Sequence, residues 1–186
     1  MDGGKAIFFR SELSRERLKQ LQRLERVLGV RFRKRALLNR SLVHRSFVQE
    51  ARLGGSSARD NETLEFLGDA VLGLVISEEL YRLYPTFEVG DLAKIKAQVV
   101  SRATLGEIAA GMKLEDWLLM GQGERIRGEG HRPSVNGSAL EAVLGAVFLD
   151  RGLPSVARLI RRLFGEEIEA VETGQTQADY KSLLQE

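Results

Sequence analysis

One stretch constrains the fold more than any other: residues 61–85, NETLEFLGDAVLGLVISEELYRLYP. No proline interrupts it before its end, and residues 70–76 carry no polar side chain. Leu64, Phe66 and Leu67 come just before. A helix that is apolar on nearly every side belongs in a core. The same stretch nevertheless carries Glu62, Glu65 and Asp69. At ~100° per residue these acids fall within a wedge of about 60°. Glu65 and Asp69 stand one turn apart, where like charges repel. Near a core, each also costs free energy to desolvate unless it is paired. A divalent cation resolves that conflict.

A second stretch repeats the pattern. Residues 138–149 read SALEAVLGAVFL, and Glu141 is the only charge between Ala139 and Leu149. Two apolar helices with isolated acids predict one acidic site where they cross. The alternative is that each carboxylate pairs with an arginine or caps a loop.

The remaining chain reads as more helices. Ser14 is a good N-cap, and Leu18, Leu21, Leu24, Val27 and Leu28 step at helical spacing to a C-capping Gly29. Residues 34–43 and 46–53 read as two short helices, and Asp60 or Asn61 as the cap of the central one. Pro85 ends it, and 89–100 and 103–112 follow as a helix pair. Residues 121–137 hold five glycines among many charges and read as a long loop. Residues 138–150 are the second acidic helix and 153–171 an amphipathic last one. Residues 1–13 read as an irregular arm and 172–179 as a linker. No segment alternates as a strand does, so the expected fold class is all-α, with about seven to ten helices.

Composition excludes several functions. No cysteine is present, which removes disulfides and thiolate metal sites. The longest apolar run, 142–149, falls short of the ~20 residues of a membrane span. The first 13 residues are too short and polar for a signal peptide, so a cytoplasmic protein is expected. Net charge is only +2, but the cations cluster: 31–45, 125–132 and 158–162. An acidic centre with basic patches suits a metal-dependent enzyme acting on a polyanion. Each patch taken alone also reads as a solvated face, and His44 and His131 as structural or surface histidines.

NETLEFLGDAVL resembles the signature of the ribonuclease III family. LLNRSLVHRSF (37–47), VGDLAKIKAQVVSRATLGEIA (89–109) and ALEAVLGAVFLDRG (139–152) resemble three further family segments, in the right order. The resemblance implies the endonuclease-domain fold over 1–171. It also implies a Mg²⁺-dependent endoribonuclease that hydrolyses double-stranded RNA as a homodimer, in processing of rRNA, mRNA and tRNA precursors; Mn²⁺ would substitute. By resemblance Glu65, Asp69 and Glu141 are metal-site acids, with Asp69 and Glu141 catalytic, Glu62 an additional acid, and Phe66 a residue inserted into the partner subunit. Asp179, Lys181, Leu184, Gln185 and Glu186 match the opening of a double-stranded RNA-binding domain, truncated here, within 172–186. One departure matters: where the family carries a metal-site Asp three residues before the last Glu, this chain has Ser138. A neutral hydroxyl there implies an alternative, an impaired member that binds RNA without efficient cleavage.

Overall fold

A computed structural model describes residues 13–53 and 59–183, with side chains over 13–52 and 59–170. Most of the expected N-terminal arm, residues 54–58 and the last three residues lie outside the described residues.

The caps of the first helix behave as their chemistry predicts. The Ser14 side chain accepts from Arg17 N–H and opens α1 (Arg15–Leu28), which Gly29 closes in the left-handed region at φ 61°. Helices α2 (Arg35–Ser41) and α3 (Arg45–Leu53) lead to the central α4 (Glu62–Leu83). The Asn61 side chain donates to Ser41 O instead of capping α4. Two residues past the end of α4 comes Pro85, as expected. Helices α5 (Val89–Val99) and α6 (Arg102–Gly111) form the anticipated pair, with the Ser101 side chain capping α6 at Thr104 N–H.

The glycine-rich segment is not the loop its composition suggests. It forms α7 (Gln122–Ile126) and a 3₁₀ turn over Glu129–His131, and α8 (Pro133–Arg151) starts five residues before Ser138. Proline suits the first helical position, where an N–H would have no partner. The last helix, α9 (Leu153–Leu183), continues through residues 172–179, so polar composition there brings no break in the backbone.

Nine α-helices and two 3₁₀ turns make up the described residues, and their only β feature is an isolated bridge between Val43 and Leu119. The all-α expectation holds. At the centre lies α8, packed against α2, α4, α6 and α9, and its contact with α4 is the most extensive in the fold. Its side chains from Ala142 to Val147 are all buried. Two glycines allow α4 and α8 to touch backbone to backbone. A Cβ on Gly68 would lie 1.7 Å from Glu141 O, and one on Gly145 would lie 2.3 Å from Leu64 O. No other residue type fits either position.

Candidate active site

The glycine crossing places the acids. Gly68 abuts the Glu141 backbone, so Glu65 and Asp69, on either side of Gly68, are brought to Glu141. Glu141 and Glu65 are half-buried and Asp69 is exposed. The Glu141 carboxyl is pushed up to about 7, first by burial, then by the negative charges of Asp69 and Glu65; Arg102 offsets this only in part. No ion pair or hydrogen bond neutralises Glu141 among the described residues. The arginine-paired alternative therefore fails for this residue. Carboxylates brought together with only a partial counter-charge fit a hard divalent cation. Among the described residues the side chains do not converge into a ready-made set of three metal ligands.

Beside the crossing opens a cavity of about 400 Å³. Glu62, Glu65 and Ser138 line it, so three expected positions share one wall space; Asp69 and Glu141 stand outside that lining. Ser138 lies one turn before Glu141 on α8 and is half-buried. Arg45 approaches Glu62 at 3.8 Å across an exposed surface, a pairing worth little.

The cavity also holds residues that the sequence did not single out. Glu124 and Glu129 come from the supposed loop. Their arginines sit three residues on: Arg127 pairs with Glu124 at 2.7 Å and Arg132 with Glu129 at 2.8 Å. Much of the apparent basic cluster there is thus internally neutralised, and the i, i+3 spacing was the available signal. Glu50 of α3 anchors this segment by accepting from Gln122 and Gly123 N–H.

His44 lines the same cavity. Ser46 Oγ accepts from Gly121 N–H at 2.9 Å and contacts His44 Nδ1 at 2.8 Å. Ser46 N–H also donates to Nδ1, which makes Nδ1 the acceptor and leaves the proton on Nε2. Burial and the neighbouring Arg45 lower the His44 pKa against the opposing charges of Glu124, Glu62 and Glu129, which favours the neutral ring. Nothing in the local sequence distinguishes it from a structural histidine.

Phe66 is 79 % exposed and not a core residue. With Leu74 and Tyr81, also exposed, it forms an apolar stripe about 80° wide along α4.

Comparison with known proteins agrees with this architecture. A family model described as Ribonuclease-III-like matches residues 34–168. Ribonuclease 3 of Treponema pallidum is 42% identical over 176 residues, covering 95% of this chain and 69% of its own length. Ribonuclease 3 of Pelotomaculum thermopropionicum is 43% identical over 167 residues, covering 90% and 68%. The nuclease domain of ribonuclease III from Campylobacter jejuni, solved in a study of flexibility in its region involved in dimer formation, superposes with a TM-score of 0.72. It is 35% identical and covers 79% of this chain and 97% of its own.

Proposed function

The chain belongs to the ribonuclease III family of endoribonucleases, and from that premise we propose that the α4–α8 crossing hydrolyses phosphodiester bonds of double-stranded RNA with Mg²⁺. One observation carries the reading: the negative charges of Glu65 and Asp69 act on a half-buried Glu141 that forms no ion pair among the described residues and that Arg102 offsets only in part. Glu65, Asp69 and Glu141 would hold the ion, and Mn²⁺ would fit the same oxygen donors. Such an ion would supply charge neutralisation at the scissile phosphate and a water that ionises more easily than bulk water.

The chain's own residues do the rest. Glu141 must lose its proton to bind a cation, so cation affinity would weaken as pH falls below about 7. Ser138, at the cavity wall, orients water through its hydroxyl. His44 presents a neutral N–H donor to the substrate backbone without adding charge. Duplex RNA is recognised by shape and phosphate contacts, with little base reading. The exposed stripe of Phe66, Leu74 and Tyr81 would pair with a second copy of the chain, and an isologous pairing sets two acidic sites across a two-fold axis, one per strand. The substrates would be rRNA, mRNA and tRNA precursors.

The test is cleavage of a labelled duplex RNA in Mg²⁺, in Ca²⁺ and in EDTA. We expect cutting in Mg²⁺ alone, abolished by Glu141→Gln. Unchanged turnover in that variant would place the metal site elsewhere.

A second reading has its own observation. Ser138 occupies a cavity-lining position one turn from Glu141, where a carboxylate would add charge to the ion's surroundings. Absence of such a supporting group costs about 10–100-fold in metal affinity or activity. Ser138→Asp should therefore lower the Mg²⁺ requirement and raise the rate, leaving RNA affinity in Ca²⁺ unchanged. No change in either would show that Ser138 is not part of the site.

A further inference from the structure

Two basic segments far apart in sequence meet at the other end of α8. Asp150 accepts from Arg33 N–H at 2.7 Å and Lys34 N–H at 2.8 Å, which docks the 30–34 turn onto the end of that helix. Beside this junction lies a second cavity, of about 180 Å³. Its charged lining is Arg31, Arg151, Arg158 and Arg162, and no acidic side chain joins them.

Some arginines elsewhere are already neutralised by a neighbour. Arg35, Arg127, Arg132 and Arg161 each have a carboxylate partner. Around this cavity, Arg162 is the one used structurally. Its Nη2 donates to Val27 O and Leu28 O, covering the carbonyls at the end of α1. Its Nη1 lies 2.9 Å from where a Cβ on Gly29 would sit, so the glycine lets the guanidinium lie flat against the turn. That fixes one guanidinium with N–H groups to spare. No carboxylate pairs with Arg31, Arg151 or Arg158 among the described residues. A concave site with one immobilised and three unpaired guanidinium groups matches the chemistry of a phosphate.

We propose that this cavity binds a phosphate group, and that its source is the backbone of the duplex RNA held at the acidic crossing. The second clause rests on the function proposed above. Arg151 lies about 15 Å along α8 from Glu141 and about 80° around it, so one duplex can reach both ends of the helix. The free alternative is inorganic phosphate or another small phosphate ester, which offers the same oxygens.

The experiment has two arms, run on the wild type, on Arg151→Gln/Arg158→Gln, and on Arg23→Gln, an exposed arginine of α1 outside the cavity. The first measures affinity for a duplex RNA in Ca²⁺ against NaCl concentration. Every phosphate that the protein no longer neutralises lowers the log–log salt slope by about one, so the cavity variant should drop by about two and Arg23→Gln by nothing. The second measures the melting temperature with added inorganic phosphate. A ligand of the folded state raises it by mass action, and the rise should vanish in the cavity variant alone. An unchanged slope with a vanished phosphate response keeps the site and overturns its RNA source. Neither effect, or an equal slope change in Arg23→Gln, overturns the site. A wild type that binds no duplex RNA sinks the proposed function, and the phosphate arm then decides the cavity by itself.

Discussion

Helices α4 and α8 use nearly the same vocabulary, long apolar runs with isolated acids and a glycine where they cross, yet they end in different surroundings. The chain encloses α8: from Ala139 to Val147 only Glu141 is not buried. By contrast α4 is covered on one side, while Phe66, Leu74 and Tyr81 face outward at 79%, 57% and 73% exposure. Apolar composition states that a helix must be covered; it does not state by what. For α8 the cover is α2, α4, α6 and α9, and for the open side of α4 it is the proposed second copy.

The largest effect should come from breaking what the two helices share. In Gly68→Ala the new methyl would sit 1.7 Å from Glu141 O, so the helices must separate. The destabilisation should exceed the ~3 kcal/mol of ordinary overpacking, and chemical denaturation would read it. A wild-type midpoint would mean that the two backbones have room to spare at the crossing.

Truncation separates the two environments. Leu144→Ala on α8, at 0% exposure, should cost about 3 kcal/mol. Leu74→Ala on α4 should stay within about 0.5 kcal/mol when the monomer is measured. Comparable costs would erase the contrast. Phe66→Asp should halve the mass seen by light scattering while the helical circular dichroism is retained; a wild type already monomeric at micromolar concentration would refute the second copy as cover.

Glu141 sharpens the comparison through pH. Its carboxyl keeps its proton to about pH 7 in the fold, against 4.5 for an ordinary glutamate. A raised carboxyl contributes stability that is complete below about 4.5 and is lost as pH climbs through 7. The metal-free protein should thus melt progressively lower across that window, and Glu141→Gln should flatten the profile. A steep profile in the variant would assign the titration to another group.

The smallest effect calibrates the first. Gly165 of α9 has open space where its Cβ would be. Gly165→Ala should stabilise by about 0.5 kcal/mol through helix propensity alone, measured as a modest rise in melting temperature.

Legibility from sequence follows the range of the signal. Caps at Ser14 and Gly29 are local, and each forms as expected. The segment 121–137 misleads because its glycines and charges mask the Glu124–Arg127 and Glu129–Arg132 spacings that close its turns. The acids of the crossing are legible because a charge in an apolar run is an anomaly in one dimension. Recruitment of His44 depends on Gly121 N–H holding Ser46, a contact 75 residues apart that no local pattern encodes. The same applies to Asp150, which serves the start of α2 from the far end of the chain.

The glycine crossing has a kinetic consequence. Where Gly68 meets Glu141 O, a Cα–H points at a carbonyl, a weak contact that recurs at close helix packings. No side chain stands between the two backbones there to swing aside. The backbone segments that carry the acids cannot part by a side chain moving out of the way; they part only when the helix pair opens. Amide protons around residues 68 and 145 should then be among the last in the molecule to exchange with deuterium, at a rate set by global unfolding. The backbone frame of the acidic site would hold for as long as the protein is folded.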